Sequence, residues 1–213
     1  MTRIALEKAL RPRKMPRQDR STATRARILE AAREVFAEYG YASGTTNRIA
    51  EAARISVGSL YQYFPNKDSI LVELVHDHVR TGTAATLAVV PAAIDPADLP
   101  AIVRGVITAM VDVHAGDRRL HQVLFEEAPR PSSLLDELHD LEDRAVGMVS
   151  ALLTDVYPDA DDVALRARIV VVTIESLVHR FVASDRPLDA ERFIDEVTQM
   201  ILAYLAATFA TTA

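Results

Sequence analysis

Between Val57 and Phe64 the chain reads VGSLYQYF, and residue types at helical spacing there suit one chemistry, the reading of nucleic-acid bases. Gly58 and Gln62 are four apart and share one helix face, while Leu60 and Phe64 share the opposite one. Val57 with Tyr61 and Ser59 with Tyr63 line the two flanks. The outward side carries no charge, whereas a helix face turned to water normally carries Glu and Lys. Charge sits at the edges instead, with Arg48 and Arg54 before the helix and Lys67 after it. A carboxamide at Gln62 can read base edges in a major groove, and Gly58 lets the backbone come close. Tyr61 and Lys67 suit phosphates. The same residues also fit an ordinary helical hairpin with two tyrosines at its surface.

Such a helix must be held by others. Ile49, Ala50 and Ala53 recur at helical spacing in a preceding short helix, which Thr45 or Thr46 caps. Arg54-Ile55 breaks that pattern, Ser56 caps the next helix, and Pro65 ends it at Phe64. Upstream, Ile28, Ala32, Val35, Phe36 and Tyr39 make the apolar stripe of a first helix from about Thr22 to Tyr39, with Gly40 as a left-handed cap. That helix supplies the floor for Leu60 and Phe64. Downstream, Asn66 caps a fourth helix in which Ile70, Leu71, Leu74, Val75 and Val79 recur, running toward Val90. Lys67 lies in its first turn, where free N–H groups and a cation can hold one phosphate. This helix links the reading unit to the rest of the chain and is the expected transmission element.

Residues 21–80 resemble the DNA-binding domain of the TetR family of bacterial transcriptional regulators. The likeness is carried by Glu38-Tyr39-Gly40-Tyr41, by Thr45-Thr46-x-x-Ile49-Ala50, and by the unbroken run from Ser56 to Lys67. It implies a sequence-specific DNA-binding regulator in which Thr46, Asn47 and Arg48 lie near the DNA backbone or groove edge. One position departs from the family pattern: Arg54 stands where a turn glycine is usual.

Charge distribution agrees. The net charge of −6 taken whole argues against a nucleic-acid binder. However, residues 1–67 hold 13 Lys or Arg against 6 Asp or Glu, and residues 68–213 hold 11 against 24. A basic third joined to an acidic remainder suits one part meeting phosphate and another doing something else. Arg3, Lys8, Arg11, Arg13, Lys14, Arg17 and Arg20 make residues 1–20 a flexible basic arm, or a leader whose charge serves solubility. The chain has no cysteine, which leaves no disulfide and no thiolate site. No apolar run reaches the roughly 20 residues of a membrane span, and no apolar signal core stands at the start, so a cytoplasmic place is expected.

Beyond the fourth helix, breaks at proline and glycine set off helices near 99–115, 117–128, 132–156, 161–184 and 188–209. The expected fold is all-α, with about nine helices. Residues 21–66 form a three-helix, helix-turn-helix DNA-binding domain, and residues 67–213 form a helical regulatory, ligand-binding and dimerisation domain. The helix near 161–184 is apolar nearly all round, and the last helix is apolar over more than one contact face needs. Ile169, Val172 and Leu177 on one, with Phe193, Val197, Met200, Ile201 and Tyr204 on the other, suit packing against a second copy or a buried pair in a monomer. Dimerisation through the final two helices is what the resemblance implies, and it places two reading helices on a palindromic operator in double-stranded DNA about 34–36 Å apart.

An effector pocket for an unknown small apolar or amphipathic molecule is the second expectation. Val103, Ile107, Met110, Leu141 and Val149 offer apolar walls, interrupted by His114, Glu175 and His179. Glu175 and His179, four apart, are either a ligand-orienting pair, a satisfied structural pair, or a contact across the dimer. Catalysis finds no support, since GxSxG, GxxxxGK[ST] and HExxH are all absent. His76 and His78 point to different helix faces, so neither metal nor cofactor is expected. The function expected is a repressor that a ligand releases from its operator. The competing class is a helical binding module whose helix pair is only structural.

Overall fold

The computed structural model describes residues 19–91, 95–116, 118–129, 131–158, 160–184 and 189–209. Among them every regular element is helical. The described residues fall into two compact units, one within Met1–Arg80 and Asp117–Leu134, the other within Thr81–Gly116 and Leu135–Ala213. The basic arm lies outside the described residues as far as position 18. Asp19 and Arg20, expected in that arm, instead open the first helix.

The first unit holds α1 (Asp19–Ser43), α2 (Thr46–Ala52), α3 (Val57–Tyr63), the start of α4 (Lys67–Ala88), and α6 (Arg118–Gln122). α6 runs on into a π-helical turn, Val123–Glu127, closed by the Ala128 N–H donating to the Val123 carbonyl at 3.0 Å. α1 packs on α2, on α6 and on the π turn, and α2 packs on α3. Ile28, Ala32, Val35 and Phe36 are buried as the stripe predicts, and Leu60 and Phe64 are fully enclosed. Each large apolar side chain so enclosed contributes about 1.5–3 kcal/mol. Gly40 differs from its expected role. It takes φ 72 and ψ 175, a region open essentially to glycine alone rather than the left-handed helical cap. The backbone bends there and resumes a helical turn to Ser43.

The second unit holds the end of α4, α5 (Leu99–Ala115), most of α7 (Ser132–Val156), α8 (Val163–Ala183) and α9 (Ala190–Phe209). α5 packs on both α8 and α9. Its core takes Val103, Ile107 and Val111 from α5, Val170, Ile174 and Val178 from α8, and Ile194, Val197 and Ile201 from α9, each set at spacings of three and four. Phe181 and Phe193 stack with ring centres 4.0 Å apart. At the surface Arg104 bridges to Glu191 at 2.7 Å, and Arg168 bridges to Glu142 at 2.9 Å and Asp143 at 2.6 Å. Exposed pairs of this kind add about 0–1 kcal/mol each and chiefly fix helix register. α4 ends at Ala88, a little before the expected Val90, and the helix expected over 117–128 is a short α segment plus the π turn.

Candidate nucleic-acid interface

Three local devices shape the reading unit. Thr45 caps α2, its hydroxyl accepting the Arg48 N–H at 3.3 Å, which satisfies a donor that the first helical turn leaves unpaired. Ser56 caps α3 in the same way, accepting from the Ser59 N–H at 3.1 Å. Between the caps, the Arg54 N–H donates to the Glu51 carbonyl at 2.9 Å and the Ile55 N–H to the Ala50 carbonyl at 3.0 Å. That pair of bonds is a Schellman closure, and it puts Arg54 at φ 53, where glycine normally sits. A side chain in that conformation costs about 1 kcal/mol or more. Phe64 leaves the helix at φ −128 and ψ 123, the extended geometry imposed by the following Pro65.

The outward face of α3 is as its residue types suggest. Gly58, Tyr61 and Gln62 are exposed, while Val57, Ser59 and Tyr63 are half-buried on the flanks. A Cβ built on Gly58 would meet only the Ser56 hydroxyl, at an ordinary 3.9 Å, so this surface is open. On α2, Asn47 and Arg48 are exposed and Thr46 is half-buried. The Tyr61 and Thr46 hydroxyls lie 3.2 Å apart and tie the two helices. The Arg48 guanidinium lies over the Tyr39 ring, 3.9 Å from its centre, a stack worth about 0.5–1 kcal/mol at an exposed site. Bonding to the Glu38 carboxylate raises the Tyr39 phenol above its usual pKa, and Arg48 opposes that shift.

Lys67 takes a place other than the one expected. Its ammonium donates to the Tyr41 carbonyl at 2.7 Å, lies 3.4 Å from the Ala42 carbonyl, and sits 3.9 Å from the centre of the Tyr41 ring. The Tyr41 hydroxyl in turn donates to the Asp68 carboxylate, and burial together with that bond raises the phenol well above the usual tyrosine range. Lys67 therefore spends its charge joining the end of α1 to the start of α4. Asn66 caps α4 as expected, accepting the Ser69 N–H at 2.8 Å.

The arrangement is an uncharged, open helix face set on a sealed apolar floor, with guanidinium groups at its margin. Base edges suit the face, and phosphates suit the margin. Residues 28–74 match the family model for bacterial regulatory proteins of the tetR family, and residues 98–205, just over half of the chain, match the tetracyclin repressor-like C-terminal domain. The chain belongs to the TetR family. As a member it is a DNA-binding transcriptional regulator. This TetR-family regulator is 24% identical over 181 residues to the fatty acid metabolism regulator protein of Bacillus subtilis, covering 82% of this chain and 92% of that protein. It is 37% identical over 60 residues to the HTH-type transcriptional repressor Rv1474c of Mycobacterium tuberculosis, a match that spans 28% of this chain and only 32% of that repressor. A TetR-like transcriptional regulator from Rhodococcus sp. RHA1 has the same fold, with a TM-score of 0.69 at 21% identity over 91% of this chain and 99% of that one. The fatty acid degradation regulator FadR from Bacillus halodurans likewise superposes with a TM-score of 0.67 at 22% identity, over 84% and 94% of the two chains.

In the second unit of this TetR-family chain the expected effector residues divide. Val103 and Ile107 are buried in the core, Met110 and Val149 pack partly buried against it, and Leu141 is half-buried. His114 is buried, its Nδ1 bonds the Met110 carbonyl, and its ring meets that of His179 edge-on with centres 4.6 Å apart. Burial lowers the His114 pKa, and the bond to Met110 offsets part of that shift. His179 Nε2 is 3.9 Å from Glu175 Oε1. Desolvation raises the Glu175 carboxyl and the nearby Glu142 adds to it, although nearly half of the Glu175 side chain meets solvent, which keeps the effect small. An open depression of about 430 Å³ lies elsewhere, lined by residues including Val89, Ala101, Arg104, Gly105, Thr108 and Asp112. It shares none of the eight expected residues.

The expected dimer residues divide too. Val197 and Ile201 are taken up by the subunit's own core, and Leu177, Phe193 and Tyr204 pack partly buried against it. Ile169, Val172 and Met200 are exposed, as is Leu165, which is 57% exposed and shares a face of α8 with Ile169 and Val172. Ala203 and Ala207 extend the Met200 face of α9. Apolar residues spread wider than one contact face give no phase by which sequence alone could separate the two sets.

Proposed function

We propose that this TetR-family regulator is a repressor whose homodimer holds a two-fold symmetric operator and lets go when a small apolar or amphipathic molecule enters its second unit. Gln62 and Gly58 read base edges, with Val57, Ser59, Tyr61 and Tyr63 beside them. Thr46, Asn47 and Arg48 meet the DNA backbone or groove edge, and Lys67 sets the start of α4 from within. The observation that carries this reading is the exposed, uncharged face of α3 above the enclosed Leu60 and Phe64. A helix with no ionic group on its water-facing side has that side prepared for a partner other than water.

Subunits join through the exposed apolar faces of α8 and α9: Leu165, Ile169 and Val172 on one, Met200 with Ala203 and Ala207 on the other. Small residues there let helices approach closely. The effector is lodged among Met110, Leu141, Val149 and the His114–His179–Glu175 chain, where a polar end can be oriented inside apolar walls. It shifts the two DNA heads only by its different affinity for their two arrangements. The name of the relative matched over most of its length concerns fatty acid metabolism, which makes long-chain fatty acids the first probes to try. No chemical step is needed, and the protein works in the cytoplasm.

Selection of bound duplexes from a random pool tests the reading. A palindromic consensus, from which a long-chain fatty acid or related amphiphile displaces the protein, is the expected result. Recovery of unrelated sequences would overturn sequence-specific regulation.

A further inference from the structure

The carboxylate of Glu127 reaches 86 positions back along the chain to the bend in α1. Its Oε2 accepts the Tyr41 N–H at 3.1 Å, and its Oε1 is held by Arg119. The approach is so close that a Cβ on Gly40 would lie 2.8 Å from Glu127 Oε2 and 3.1 Å from Arg119 Nη2. Gly40 is therefore required twice, by its backbone angles and by the groups packed against it. Arg119 holds the Glu127 pKa below the usual carboxylate range, with the Tyr41 N–H helping, so the carboxylate stays ionised at neutral pH. The π turn is what aims it: five residues closed by the Ala128–Val123 bond put Glu127 at its last position.

The bend is fastened from the other side as well. Lys67 takes the Tyr41 carbonyl, Asp68 takes the Tyr41 hydroxyl, and the Gly44 N–H donates to the Gly40 carbonyl at 3.0 Å. Tyr39 stands one residue before the bend, and its ring carries the Arg48 guanidinium. A short path therefore runs from Arg119 and Glu127 through the Gly40–Tyr41 backbone to Tyr39 and then Arg48, all inside the first unit.

We propose that Glu127 is a positioning residue for DNA binding: clamped by Arg119, it fixes the Gly40–Tyr41 backbone and so sets where Tyr39 presents Arg48 to the phosphates. This rests on the proposed DNA interface. The segment that carries Glu127 is joined along the chain to α5 on one side and α7 on the other, both helices of the second unit.

The test is a double-mutant cycle in the full-length protein, with a duplex selected from a random pool by the wild type as the probe. Glu127→Ala weakens binding by about threefold to tenfold, the usual size of coupling through a packed network. Arg48→Ala weakens it further, and the double variant binds no more weakly than Arg48→Ala alone. Glu127→Gln keeps a carbonyl for the Tyr41 N–H and recovers part of the loss. In the free protein, hydrogen exchange at the Tyr41 amide speeds up in Glu127→Ala while the Leu60 and Phe64 amides keep their protection. Additive losses would overturn the proposal, as would an unchanged Tyr41 amide, or faster exchange throughout the core. If the wild type selects no duplex, the DNA interface itself is refuted, and the Tyr41 amide still decides whether the clamp exists.

Discussion

Replacing Gly58 with alanine separates folding from DNA reading in a single substitution. Gly58 sits in the first turn of α3 behind the Ser56 cap, and its backbone is not among the positive-φ positions. The added methyl group would touch only the Ser56 hydroxyl, at 3.9 Å. Nothing in the subunit resists it. Alanine also loses less backbone freedom on folding, so stability rises by about 0.5–1 kcal/mol, or about 1–4 °C in Tm for a chain of this size. On the proposed reading of the operator, the same methyl group would stand between the helix backbone and the bases. Losing one close base contact costs about 1–3 kcal/mol, and each subunit of a dimer loses one. Even the lower figure, taken twice, is about a 30-fold drop in affinity at tenfold per 1.4 kcal/mol. The assay is fluorescence anisotropy on the selected duplex and on a random one, beside a thermal melt. Operator binding should fall while random binding and Tm do not. A raised Tm with full operator affinity would refute base reading by this face. A lowered Tm would refute the open surface around Gly58.

Arg54→Gly relieves a left-handed side chain without touching the Schellman bonds, and stability in urea should rise by about 0.5–1 kcal/mol. Lys67→Met removes charge-assisted bonds to the α1 carbonyls and should cost about 1–3 kcal/mol in the same measurement. The salt dependence of duplex binding should stay as it was, and a slope smaller by about two, one for each subunit of a dimer, with unchanged stability would return Lys67 to the phosphates. Ile169→Glu combined with Met200→Glu charges the exposed faces of α8 and α9 and should give monomers in sedimentation, and a surviving dimer would place the interface elsewhere. His114 is held neutral by burial, below its ordinary 6.5, so only the unfolded chain gains its proton as pH falls through that value. Stability should therefore fall as pH drops below about 6.5, and His114→Gln should flatten the fall in a denaturation series.

What the sequence made legible was local. Thr45, Ser56 and Asn66 each announce a helix start because a short polar side chain can reach an N–H two or three residues on, and all three do so here. Leu60 and Phe64 announce their burial because they share a face with few other apolar neighbours. Contacts across long stretches of chain left no such trace. Nothing in the spacing of residues 117–134 says that they pack with the first unit, or that Glu127 finds Tyr41. Lys67 shows the same limit: a lysine in a first helical turn looks poised for phosphate, and no spacing in the sequence tells that an α1 carbonyl also lies within its reach. In α8 and α9 what the sequence lacks is phase. Apolar residues spread wider than one contact face hide which of them the subunit keeps, and Val197 and Ile201 lie in its own core.

The five-residue turn at Val123–Glu127 carries one residue more than an ordinary helical turn would need. Removing any one residue there would let the segment rewind as plain α-helix and rotate everything after it by about 100°. Glu127 would then swing off the α1 bend while the amino-acid composition barely changed. The length of this segment, together with Glu127 at its end, is therefore what natural variants of the chain must keep.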